Sequence, residues 1–232
     1  MRRSNFITKL SLARGNYHGL LAVIFLVIQL AFAPLSLAKN IALDKSIPLN
    51  KKYLEPNKAD IILGDVDAKN TVIEYFSLTC LHCALFYEKL FPQIKKEFID
   101  TGKIRWIKRP FVTDQRALNA GLLLECKKQN TEDYTKFLSI LLSKQEVWAT
   151  GKNYMDILKN IAKLSGMTSE KIDACLVNNE LAKQITEESV AASRNLGIKA
   201  TPSFFLNADF IANGLTAEVL NDLLSKSVLK NE

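Results

Sequence analysis

With 232 residues, 48% hydrophobic and 24% charged, the chain can bury a core of its own, so its four cysteines are not needed merely to staple a mini-domain. The formal charge of +7 overstates the case for an acidic partner. Residues 1–38 hold Arg2, Arg3, Lys9 and Arg14 and no acid, leaving 27 basic against 24 acidic residues, or +3; with no dense basic stripe and no RNA-binding aromatic motif, nothing argues for nucleic-acid binding.

Residues 1–38 have the three-part layout of an export signal. They are basic as far as Arg14, apolar from Leu20 to about Ala33, and carry the small residues Ser36 and Ala38 where a signal peptidase reads. The expectation is cleavage after Ala38 and a periplasmic location. The competing reading is an uncleaved anchor, since residues 20–38 are nearly long enough to span a bilayer; Gln29, Pro34 and the small-residue site argue for removal. Either way the cysteines meet an oxidising compartment.

Residues 39–58 are polar, contain Pro48 and Pro56, and read as a loosely held N-terminal arm. Ile61-Ile62-Leu63 is a short apolar run closed by the turn signal Gly64-Asp65. Thr71-Val72-Ile73-Glu74-Tyr75-Phe76 predicts a buried central strand with one odd member, Glu74. Helical spacing then runs over 84–99, where Leu85, Phe86, Leu90, Ile94 and Phe98 can share a face and Pro92 should impose a kink. Residues 103–108 predict a second strand that stops at Pro110.

From 115 to about 195 the pattern is helical, with helices expected near 115–128, 132–144, 152–165, 168–176 and 179–195. Two strands follow at 203–207 and 210–212, then an Asn213-Gly214 turn and a last helix capped by Thr216. The order predicts an α/β sheet domain, 59–114 and 196–232, interrupted by an all-helical insertion, 115–195.

The chemistry is carried by Cys80-Leu81-His82-Cys83 at a strand-to-helix junction. There the first thiol meets unpaired N–H groups and the positive end of the helix dipole, which lower its pKa and make it the nucleophile. Cys83, one turn in, can close a small disulfide ring but points inward. His82 carries N–H donors that can stabilise the Cys80 thiolate further, and a more stable thiolate makes a more oxidising disulfide. Glu74, an acid inside an apolar strand, is costly unless it is protonated, paired or used. If it faces the helix that follows, it can exchange a proton with Cys83 through water; the competing reading is an acid pointing to a solvated sheet edge. Pro202 stands at the entry to a strand, a place proline tolerates, and by residue statistics alone a cis bond there is the minority form.

Taken together, Glu74 to Cys83, the helical insertion and Thr201-Pro202 before a strand resemble the thioredoxin superfamily, and within it the DsbA-like exported oxidoreductases, over residues 59–228. The resemblance implies a thioredoxin-like fold, an active-site dithiol at Cys80 and Cys83, a buried strand acid at Glu74, and a cis-proline loop at Thr201-Pro202 that pairs with substrate backbone. It implies reduced or unfolded exported proteins as substrates, a membrane quinone-linked partner for reoxidation, a monomer, and no cofactor beyond the redox-active disulfide. Two residues depart from the pattern. Leu81 replaces the family's common proline, which leaves the potential of the couple open. Thr201 occurs in isomerase-type as well as oxidase-type relatives, although the arm at 39–58 is too short for an isomerase's separate dimerisation domain.

Cys126 and Cys175 both fall in the helical insertion. In an oxidising compartment such a pair is expected to form a structural disulfide, and the spacing of Cys80 and Cys83 favours the pairing 80–83 and 126–175. A zinc site is disfavoured, because beyond residue 38 the only histidine is His82, between the two cysteines, and no second Cys-x-x-Cys exists. The remaining alternatives to an oxidase are an isomerase or reductase of the same fold, and a chaperone-like periplasmic binding module without redox turnover.

Overall fold

The computed structural model describes residues 43–44, 50–211 and 214–228. The export signal expected at 1–38, with its cleavage point after Ala38, lies outside the described residues, as does Asn213 of the expected turn.

The described residues contain one mixed sheet of six strands in the order β1-β6-β5-β3-β4-β2. The strands are β1 (Leu43–Asp44), β2 (Ile61–Leu63), β3 (Asn70–Phe76), β4 (Ile104–Pro110), β5 (Ser203–Leu206) and β6 (Asp209–Ile211). β3 and β4 run parallel, with Val72 opposite Trp106 and Glu74 opposite Lys108; the other pairs are antiparallel. A parallel pair needs a crossover. It is supplied by α1 (Leu81–Lys89), α2 (Phe91–Ile94) and a π-helical turn, Lys95–Ile99.

The helix expected over 84–99 is therefore in pieces, and the first begins earlier, at Leu81. Cys80 is its N-cap, in extended conformation, and the Cys80 carbonyl accepts from the amides of Cys83 and Ala84 at 3.0 and 3.2 Å. Pro92 sits in the first turn of α2, where its missing N–H costs nothing, so the chain ends one helix and starts another rather than kinking a continuous one.

Helices α3 (Gln115–Glu125), α4 (Thr131–Ser143), α5 (Gln145–Thr150), α6 (Tyr154–Leu164), α7 (Ser169–Leu176) and α8 (Asn179–Leu196) form the insertion, and α9 (Ala217–Val228) closes the described chain. Side chains of Asp114, Asn130, Thr168 and Asn178 cap α3, α4, α7 and α8 by accepting from first-turn amides. Sequence periodicity misses α5, which has six residues and too little length to register a 3.6-residue period.

The N-terminal arm is tied down where it is described. Leu43 and Asp44 pair with β6, and Leu54 is buried. Arg109 donates to the carbonyls of Tyr53 and Glu55 at 2.6 and 2.8 Å while forking onto the Asp60 carboxylate. A polar segment with no hydrophobic period is thus held by satisfying its backbone and by the buried anchor Leu54.

Three apolar clusters pack this frame. On one sheet face Val72, Trp106 and Phe204 meet Phe86, Phe91 and Leu220. On the other, Ile73, Ile107 and Phe205 meet Leu54, Ala192 and Leu196. The third fills the insertion around Leu123, Phe137, Trp148 and Ile172, and it includes Phe76, Leu78 and Cys83 from the end of β3 and the start of α1. The insertion's core therefore continues to the second sulfur of the motif.

Candidate functional site

β3 ends at Phe76, and the loop 77–79 delivers Cys80 to the N-terminus of α1. That loop is fastened on two sides, by the residues that precede α3 and by the insertion. Thr79 donates from Oγ1 to the Asp114 carboxylate at 2.7 Å, and Ser77 and Thr113 share a hydroxyl hydrogen bond of 2.7 Å. Gln145 of α5 donates from Nε2 to the carbonyls of Leu78, at 2.7 Å, and Cys80, at 3.0 Å.

Cys80 and Cys83 are free thiols, the first half-buried and the second 1% exposed. Cys80 Sγ lies 3.0 Å from the Thr201 carbonyl oxygen, and the Thr201–Pro202 bond is cis. The pKa of Cys80 is lowered to about 5. Its hydrogen bond with Cys83 is the largest cause; burial opposes it, and the Thr201 side chain and the amides of Cys83 and His82 add to the lowering. Cys83 moves the other way. Burial pushes its thiol far up, and the hydrogen bond and charge of Cys80 push it further. One sulfur is thus held as an anion and its neighbour as a thiol, so a proton has one place to reside.

His82 acts on Cys80 through its amide. Its imidazole is exposed and lines an apolar groove of about 570 Å³ whose floor includes Phe86 and Phe204 and whose far wall is Ala200, Thr201 and Pro202. Leu81, in the place next to Cys80, is 62% exposed.

Glu74 faces the active-site helix side of the sheet and is 2% exposed. It is paired. Lys108 Nζ lies 2.5 Å from its Oε2, and Trp106 Nε1 donates to the same oxygen at 2.9 Å. The Lys108 ammonium is fully buried, 4.3 Å from the ring centre of Phe91 and 4.7 Å from that of Tyr87. Burial pushes the Lys108 pKa down, and the Glu74 carboxylate opposes that. Glu74 contributes a smaller push upward on Cys83, so the buried pair is electrostatically linked to the inner sulfur.

The structure thus gathers Cys80, Cys83, His82, Glu74, Thr201 and Pro202 at one end of the sheet. Cys126, at the C-terminus of α3, and Cys175, in α7, are joined by a disulfide within the insertion. Lys108 and Gln145 escape sequence reasoning. A lysine in a strand carries no mark of burial in the sequence, because its partner Glu74 is set by the β3–β4 register. Gln145 left no signal, because the short helix that carries it left none. Among the described residues no group of three or more potential metal ligands is found.

The thioredoxin family model matches residues 56–226. A putative protein-disulfide oxidoreductase of Rickettsia bellii is 34% identical over 169 residues, covering 69% of this chain and 63% of that protein. The chain therefore spans about three-fifths of that relative's length. Disulfide bond formation protein D of Bacillus subtilis is 26% identical over 178 residues, covering 74% of this chain and 78% of its own. The crystal structure of Wolbachia pipientis alpha-DsbA1 is similar with a TM-score of 0.71 at 31% identity, over 78% of this chain and 99% of the other. With a Cys-x-x-Cys at a helix N-terminus, a cis-proline against it and an all-helical insertion in the sheet domain, the chain belongs to the thioredoxin family, as a DsbA-like member.

Proposed function

We propose that the protein is an exported dithiol oxidase that introduces disulfides into reduced polypeptides outside the cytoplasm. The observation that carries this reading is the contrast between Cys80, anionic at neutral pH, and Cys83, held as a buried thiol. A stabilised Cys80 thiolate makes the reduced form the favoured product, and so makes the disulfide a strong oxidant.

In the reaction a substrate thiolate attacks Cys80 Sγ of the Cys80–Cys83 disulfide. The new bond joins substrate and Cys80; the old S–S bond breaks, and Cys83 leaves with its electron pair and takes up a proton. Glu74 and Lys108 are the charged groups behind Cys83 that serve this proton transfer. A second substrate thiolate then attacks the sulfur bonded to Cys80, Cys80 leaves as the thiolate, and the substrate departs with its disulfide. Two electrons have moved to the Cys80–Cys83 pair, which is the only redox group required. Thr201 and Pro202 hold the substrate backbone beside Cys80, and His82 tunes the thiolate.

Turnover then needs an oxidant, assigned to a membrane quinone-linked partner. The Cys126–Cys175 bridge has a structural role, and the protein works as a monomer. Export rests on the signal pattern of 1–38; among the described residues no helix is long and apolar enough to cross a membrane.

The deciding measurement is the reduction potential of the Cys80–Cys83 couple. An oxidase is expected near the DsbA value of roughly −120 mV, whereas a value near thioredoxin's, roughly −270 mV, would overturn the oxidase reading in favour of a reductase. Substituting Cys80 by Ser should abolish oxidation of a reduced substrate; retained activity would point instead to a binding module.

A further inference from the structure

The groove beside Cys80 has a direction and a charge. His82, Leu85, Phe86, Lys89 and Leu90 of α1 line it at helical spacing, so it runs along the helix axis away from the sulfur. Its floor is apolar, and Leu85 is 39% exposed on its rim. Among the described residues no carboxylate lines it. Its one full positive charge, Lys89, is exposed in the last turn of α1 and has no acidic partner among the described residues. Glu88, also exposed, does not line the groove, and Lys199, exposed one residue before the far wall, carries the same sign as Lys89.

Resting on the oxidase reading, we infer that Lys89 selects substrates with an acidic side chain about four residues from the cysteine being oxidised. The spacing follows from two rises. Lys89 lies nine residues after Cys80, roughly 13 Å along the helix axis. An extended chain lying in the groove advances about 3.3 Å per residue, so its fourth residue from the attacked sulfur stands beside Lys89. Its second residue stands beside Leu85, where an apolar side chain covers exposed surface. The preferred substrate is thus an extended segment with a cysteine, an apolar residue two places away and Asp or Glu four places away.

The test uses the full-length oxidised protein and synthetic peptides with a single cysteine, carrying Glu, Ala or Lys four positions before or after it. Formation of the mixed disulfide is followed by stopped flow at low and high salt. The expected result, in one of the two chain directions, is a rate about fivefold higher for the Glu than for the Lys peptide at low salt, with Ala between them. The spread should shrink in high salt. Lys89→Glu should reverse the order of the Glu and Lys peptides, and Lys89→Ala should bring the two together. Equal rates for all peptides, or an order unchanged in Lys89→Glu, would overturn the inference and leave the oxidase reading standing. No reaction with any peptide would overturn both.

Discussion

Glu74 and Lys108 are direct partners across the parallel β3–β4 ladder, and their side chains meet at 2.5 Å with neither open to solvent. Register alone therefore brings a buried charge opposite its counter-charge, and Trp106, two residues before Lys108, supplies a further donor from the same strand face. Removing one partner leaves the other buried and uncompensated. Lys108→Met is expected to lower stability by about 3–5 kcal/mol, whereas Glu74→Leu combined with Lys108→Met should recover much of that loss. Denaturant midpoints of the two variants against the parent protein check it. A double variant as unstable as the single would mean that the pair's net contribution outweighs its desolvation.

The Cys80 thiol sets a pH dependence confined to the reduced protein. Its folded pKa, about 5, lies below its ordinary value of 9.0, so between those values the unfolded chain binds more protons. The Cys80 contribution to stability of the reduced form therefore rises with pH across this window, is fully present above about 9 and is lost as pH falls through about 5. The disulfide form has no such thiol. The melting temperature of the reduced protein, relative to the oxidised one, should increase steadily between pH 5 and 9. Thiolate absorbance should titrate with a midpoint near 5, and Thr201→Val should raise that midpoint by removing a side-chain hydrogen bond.

Gln145 connects the insertion to the redox loop through two carbonyls. Gln145→Leu should cost about 1–3 kcal/mol, because the Leu78 carbonyl loses a buried donor. Gln145→Glu is a sharper probe. It sets a carboxylate against the same carbonyls and near the Cys80 anion, so it should raise the Cys80 pKa above that of the Leu variant. Alkylation rate against pH reads this directly, and identical profiles for the two variants would limit Gln145 to a packing role.

The β5–β6 hairpin turns through Asn207 and Ala208 at φ of 49° and 67°. Asn207 is suited to this region and also fixes the turn to β3, its Oδ1 accepting from the Thr71 amide at 2.9 Å. Ala208 gains nothing from a left-handed conformation and pays for its Cβ. Ala208→Gly is expected to stabilise the protein by about 1 kcal/mol, read as a higher denaturant midpoint at unchanged slope.

The sequence exposed the site where chemistry and spacing coincide, and hid it where partnership depends on the fold. Cys80 and Cys83 declare themselves by spacing at a strand-to-helix junction, and Glu74 by its polarity in an apolar run. Lys108 stayed hidden because its burial depends on register between strands 34 residues apart. Pro92 reads as a kink in the sequence because proline's effect depends on whether it stands inside a helix or in its first turn, which periodicity does not distinguish. The order of the strands in the sheet domain was legible, since each shows its period or is marked by turn residues, but the division of the 84–99 helix was not, because the four-residue α2 and the π-helical turn are too short to show a period of their own. The arm was not, because hydrogen bonds from Arg109 to backbone carbonyls leave no mark on the residues they hold.

In the proposed reaction, the placement of Cys83 within the insertion's apolar core fixes the stoichiometry of covalent capture. In that reaction a substrate is joined at the half-buried Cys80 and not at the buried Cys83, so each chain would carry at most one adduct through this pair, with its attachment point settled before any partner arrives. Diversity among such adducts has to come from the partner's own cysteines, and a mass map of trapped species reads the partner alone.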